Sequence, residues 1–184
     1  MDRNRIREFA RNFPENGMRL LLEDTRNVRD LLGLAGHELA ERLDLDRLAP
    51  FQEIFVRRDF RQIRADVVVT APLRDRAAPV DRAWVFATLE HQSEPDRTML
   101  LRLIDSVVQI LGYQEREWER THPTTAGIEF QPVVPVVFYT GERRWPVVRS
   151  LGELMVPEAG FREWAPQMAS CLVNVGAIAD DVLA

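Results

Sequence analysis

The sequence predicts a mixed α/β domain, a central sheet covered by helices. Three observations predict it. Residues 63–70, rich in β-branched side chains, and the apolar run 83–89 are separated by a polar loop with Pro72 and Pro79, which reads as an antiparallel hairpin. Residues 97–118 then carry Leu100, Leu103, Ile104, Val107, Val108 and Leu111 at i, i+3, i+4, i+7 spacing, a helix with an apolar stripe. Residues 133–139, Val-Val-Pro-Val-Val-Phe-Tyr, have no polar alternation, as expected of a central strand covered on both faces. A hairpin, a crossover helix and a further strand make the sheet mixed.

The remaining elements follow in order. Residues 1–50 read as an N-terminal helical segment, and 51–184 as the core. Ile6, Phe9 and Phe13 share a helical face that Pro14 ends. A short helix over 18–24 follows. Thr25 or Asn27 is the expected cap of another, through Val28, Leu31 and Leu32, with Gly33 near its end. Residues 38–48 form a further helical pattern closed by Pro50, with His37 in the connection before it as a loop or packing histidine. Phe51, Ile54, Phe55 and Val56 suggest a short first strand, and residues 171–175 a last one. Pro135 predicts an irregularity in its strand. Ser93 or Asp96 is the expected cap of the long helix.

Composition narrows the function classes. A chain of 184 residues supports one domain with a sizeable core, and 46% hydrophobic with 29% charged residues is ordinary globular composition. No apolar run approaches a membrane span, and the N-terminus leads into no signal-peptide core. The single cysteine, Cys171, excludes an internal disulfide framework and fits a reducing cytoplasm. No Cys/His cluster has zinc spacing. A net charge of −5 counts against a broad basic face, yet all 24 basic residues are arginine, which grips phosphate in a bidentate way. Arg57, Arg58, Arg61 and Arg64 cluster before the second strand, and Arg143, Arg144 and Arg149 after residues 133–139.

Candidate chemistry gathers where the strand over 83–89 ends. Glu90 and Gln92 lie two residues apart, so a carboxylate and an amide project from one face. If Thr70 lies across from Trp84, Asp66 lies across from Thr88, and Glu90 is its diagonal neighbour at roughly 7–8 Å or less. Two such carboxylates can share a metal ion. An Asp in apolar company is costly unless it does so or pairs with an arginine such as Arg64 or Arg102. Arg102, one turn into the long helix, is placed to hold a phosphate or orient a carboxylate. His91 as general base for Ser93 lacks an acid partner, and no Gly-x-Ser-x-Gly elbow is present.

Asp66 with Glu90-x-Gln92, in this order of elements, resembles the core of the PD-(D/E)XK nuclease superfamily. The strings 90–99 (Glu-His-Gln-Ser-Glu-Pro-Asp-Arg-Thr-Met), Arg102-Leu103, and 133–141 followed by Trp145 resemble the Rpn family of recombination-promoting nucleases, also called YhgA-like transposases. The resemblance covers about residues 15–175. It implies a restriction-endonuclease-like αβββαβ core, a mixed sheet flanked by helices, behind the extra N-terminal segment. It also implies a Mg²⁺-dependent DNA endonuclease, with Mn²⁺ or Ca²⁺ as substitute ions. Asp66, Glu90 and the backbone carbonyl of His91 would be the metal ligands, and Gln92 would occupy the superfamily's lysine position. Arg102, Arg64 and Arg61 would contact DNA phosphates. DNA is the implied partner, with a homodimer as a further expectation and no membrane. Two departures stand out. The family's opening His-Asp and Phe-Lys motifs are missing from the first fifty residues. Members are also usually longer, so the chain reads as short or C-terminally truncated. The acidic charge and Gln92 support the alternative of a non-catalytic DNA- or protein-binding module on the same fold.

Overall fold

The computed structural model describes residues 22, 24–34, 37–51, 67–75, 81–90, 96–139, 143, 145, 150–155 and 164–174, with the side chains of residues 37, 38, 86 and 88–90 outside that description. Five strands form one sheet in the order β1-β2-β3-β4-β5. They are β1 (Ala49–Pro50), β2 (Val67–Pro72), β3 (Arg82–Glu90), β4 (Val133–Tyr139) and β5 (Cys171–Asn174). β1–β2 and β2–β3 are antiparallel, whereas β3–β4 and β4–β5 are parallel. The expected mixed sheet is therefore present. The hairpin has the expected register, with Thr70 opposite Trp84, and it runs from Pro72 opposite Arg82 to Val67 opposite Ala87.

Strand alternation divides the apolar residues between two layers. On one face Val69, Val85, Ala87, Val136, Phe138 and Val173 pack with Leu22 and with Val28, Leu31 and Leu32 of α1 (Thr25–Leu34). On the other, Val68, Trp84 and Val137 pack with Met99, Leu103 and Ile110 of α3 (Met99–Glu119). With both faces covered, the inner strands need apolar residues at every position, which is why 133–139 shows no alternation.

Local structure departs from expectation at identifiable places. Asp24, rather than Thr25 or Asn27, caps α1. Its carboxylate accepts the Arg26 amide at 2.9 Å, one of the donors a helix start leaves unpaired. The Arg26 guanidinium, and then that amide, hold the Asp24 carboxyl below its ordinary range. His37 opens α2 (His37–Arg42) instead of lying in a connection. The helical pattern expected to reach Leu48 stops at Arg42, because Leu43 bridges to Leu73 and a 3-10 turn over Leu45–Arg47 leads into β1. Pro50 sits in β1, an edge strand where a missing donor costs little. The Phe51 amide extends the pairing to the Val68 carbonyl at 2.9 Å, while residues 52–60, the rest of the expected first strand, lie outside the described residues. The polar loop starts later than expected, since Ala71 and Pro72 still pair with Ala83 and Arg82.

The long helix docks by only part of the predicted apolar stripe. Leu100 and Leu103 are buried as expected, joined by Met99, Ser106 and Ile110, whereas Val108 is 60% exposed. Buried Ser106 bonds to the Arg102 carbonyl at 3.0 Å, so its hydroxyl costs the core little. Apolar residues lie on both sides of this helix, and only the sheet decides which side is covered.

Pro135 causes no irregularity. It stands in continuous register opposite Phe86. The Trp84 amide donates to the Pro132 carbonyl at 2.8 Å, so residue 132 and every second residue after it face β3. Pro135 faces the β5 side, where pairing begins only at Val136, and its missing N–H breaks no ladder bond. The chain enters β4 through a side-chain clamp. Gln114 of α3 accepts the Gln131 amide at 2.7 Å and donates to its carbonyl at 3.3 Å.

Candidate functional site

β3 and β4 run side by side to their carboxyl ends, where Glu90 is the register partner of Tyr139. This is the edge of a parallel pair at which ligands of α/β sheets bind. Glu90 closes β3, and its side chain lies outside the described residues, as do all of Asp66, His91, Gln92, Arg61 and Arg64. The expected ligand set is thus represented by the backbone position of Glu90 alone. Among the described residues no three His, Cys, Asp or Glu side chains gather as a metal site.

Tyr139 is a residue the sequence reading missed. It is fully buried, and its hydroxyl has no hydrogen-bond partner among the described residues. Trp145 covers its ring edge-on, with centroids 4.8 Å apart. A phenol buried without a partner costs about 1–3 kcal/mol. Most buried polar groups are satisfied, so an orphan beside a strand end calls for a ligand or water to complete it. The available sequence sign was a lone hydroxyl closing an otherwise apolar strand, one residue before Thr140-Gly141.

The approach to α3 is built on Asp96. Its Oδ1 accepts both the Thr98 amide and the Thr98 hydroxyl at 2.7 Å, and its Oδ2 lies 3.5 Å from the Arg102 guanidinium. Thr98 is the N-cap residue itself and makes no side-chain cap bond, so Asp96 braces the turn ahead of the helix instead of capping it. Arg102 is thereby engaged with a carboxylate, with its side chain half exposed.

Burial acts to raise the Asp96 carboxyl, but the Thr98 hydroxyl and amide together with Arg102 outweigh it and hold the group below its ordinary range. A carboxyl depressed on folding stabilises the native state fully above its unfolded pKa. That stability is lost as pH falls through the folded value. Wild-type protein should therefore lose more thermal stability than Asp96→Asn as pH drops below about 4. Unfolding midpoints measured by circular dichroism across that range test this, and parallel curves for the two proteins would refute it.

A groove of about 830 Å³ lies elsewhere. It is lined by Phe51, Trp84, Tyr113 and Trp118 near the start of β3, roughly 20 Å along the strand from Glu90 at about 3.3 Å per residue. Phe51, Trp84 and Tyr113 pack on one another, and Asp81 and Glu117, also in its wall, are ion-paired with Arg82 and Arg120. Size alone does not make it the reactive site.

Comparison with known proteins identifies the family. No helix among the described residues is long and apolar enough to cross a membrane. No solved structure matches the chain. A family model described as "putative transposase, YhgA-like" matches residues 16–184, from the N-terminal helical segment through the sheet and the strand ends that carry Glu90 and Tyr139. The chain belongs to the YhgA-like transposase family.

Proposed function

We propose that the chain is a Mg²⁺-dependent DNA endonuclease acting in mobile-element or recombination biology, the first of which its family's description as a transposase suggests. The observation that carries this reading is the pairing of Glu90 with Tyr139, whose buried hydroxyl lacks a partner among the described residues, at the carboxyl ends of two parallel strands. The hairpin register supports it. Carried one residue past Val67–Ala87, that register would set Asp66 opposite Thr88, diagonal to Glu90.

The donor types fit a hard divalent ion. Two carboxylates and a backbone carbonyl, from Asp66, Glu90 and His91, are the oxygen ligands Mg²⁺ prefers. The orphaned phenol is the kind of group that a hydrated ion or a phosphate would satisfy. When bound, Mg²⁺ supplies Lewis-acid polarisation of the scissile phosphate. Gln92 offers an amide that orients the phosphate or the attacking water by hydrogen bonds, without the positive charge of a lysine. Arg102 acts through Asp96, holding the turn between strand and helix. Arg61 and Arg64 supply bidentate donors for the DNA backbone.

Cleavage of supercoiled plasmid tests the reading. Nicked or linear product should form with Mg²⁺ or Mn²⁺ and vanish with EDTA. Protein that binds the plasmid but leaves it intact under every ion would point to the non-catalytic module instead.

Tyr139→Phe separates a role in the site from a role in the core. Removing an unpartnered buried hydroxyl should leave stability unchanged or raise it by about 1 kcal/mol. The same change should weaken Mg²⁺ binding, followed by calorimetry without DNA, and slow cleavage by about 10- to 100-fold, the usual cost of losing a group that supports a metal site. A variant that loses stability and keeps its metal affinity would assign Tyr139 to packing alone.

A further inference from the structure

One side of α3 carries an apolar line that faces none of the sheet residues described above. Leu101 and Val108 are 54% and 60% exposed, and Ile104 and Leu111 between and beyond them are half-buried. Their spacing is 3-4-3, the alternation of a coiled-coil seam. At 3.6 residues per turn this line lies across the helix from Met99, Leu103 and Ile110, which face the sheet. Arg97, in the turn just before the helix, stands four residues ahead of Leu101, and Glu115 lies one turn after Leu111; both are exposed. Gly112 lies beside the seam, and a side chain placed there would meet only the Arg116 guanidinium, at 3.6 Å, so a second backbone can approach closely.

We propose that this seam is a self-association surface and that its occupant is a second copy of the chain, packed antiparallel about a two-fold axis. A two-fold interface must match its own surface. With the axis passing midway between Ile104 and Val108, Ile104 meets the partner copy's position 108, and Leu101 meets its position 111. Arg97 then meets position 115, a glutamate, and each copy supplies one such pair. Parallel packing would instead set Arg97 on arginine and Glu115 on glutamate. The charges at the two ends therefore select the antiparallel arrangement. The proposal is independent of the nuclease reading, since none of these residues belongs to the candidate site.

Sedimentation velocity on the full chain over a concentration series tests it. Wild type should show a reversible monomer–dimer equilibrium. Leu101→Glu with Val108→Glu should sediment as monomer at every concentration, with an unchanged far-UV circular dichroism spectrum. Arg97→Glu should raise the dissociation constant, and adding Glu115→Arg to it should return the constant to the wild-type value. Because both charged residues are exposed, this pair keeps the test valid even if the apolar variant fails to fold. A wild type that stays monomeric throughout, as it would if some other partner covered the seam, overturns the proposal. So does a dimer that survives the glutamate substitutions, or one indifferent to the charge reversal.

Discussion

Asp66→Ala and Glu90→Ala are each expected to lower Mg²⁺-dependent plasmid cleavage by at least about 10³-fold, the scale of losing a major charge-stabilising group from an active site. The reasoning starts from charge. Two carboxylates give a divalent ion a neutral first environment, and removing either leaves a net positive site that holds the ion weakly. Gln92→Ala should cost less, about 10- to 100-fold, because a neutral amide positions groups without balancing charge. Neither carboxylate change should lower the unfolding midpoint, since a pair of like charges gains nothing from proximity without the ion. Calorimetry with Mg²⁺ alone, beside the cleavage assay, separates lost metal binding from lost turnover. Full cleavage by either alanine variant would remove that carboxylate from the site.

The second large effect concerns the fold. Phe138→Ala should destabilise the protein by about 3–5 kcal/mol, the usual cost of removing a buried aromatic ring and leaving a cavity. For a chain of this size that corresponds to a fall of roughly 6–20 °C in unfolding midpoint. Phe138 is fully buried and belongs to the layer formed by β2, β3, β4 and β5 with Leu31 and Leu32 of α1. No neighbouring element can collapse into the space, because β4 is held by pairing to β3 along its whole length. Thermal or urea unfolding gives the value. A loss below about 1 kcal/mol would mean that the α1 layer contributes little to holding the sheet. Tyr139→Phe, one residue on, should change stability little or in the opposite direction. On the proposed reading, adjacent positions of β4 divide between a packing role and a site role.

Much of the architecture was legible because it rests on short-range physics. β-branched runs form strands wherever they can be covered, and a polar loop joining two such runs implies an antiparallel pair; the register entertained for it, Thr70 opposite Trp84, is the one the sheet adopts. The order hairpin, helix, strand then implied a crossover and a mixed sheet. Glu90-x-Gln92 could be picked out for the same reason, as polar residues closing an apolar strand.

Other features depend on partners distant in sequence. Both sides of α3 offer apolar residues, so periodicity alone could not tell Leu103 and Ile110 from Leu101 and Val108. Contact with Val68, Trp84 and Val137 decides it. Pro135 looks disruptive in isolation, and becomes harmless because its missing donor points to where β5 has not yet begun. Asp96 reads as a helix cap, but Thr98 and Arg102 together draw its carboxylate into bracing the preceding turn. Tyr139 reads as the last apolar residue of a core strand. Only the parallel pairing of β4 with β3 makes it the register partner of Glu90, and only burial leaves its hydroxyl without a partner among the described residues. The sequence by itself determined which segments are strands and helices, through local conformational preference and apolar pattern. The tertiary structure decided which faces meet and which polar groups are left without partners, because burial and pairing are properties of neighbours that the chain brings together only on folding.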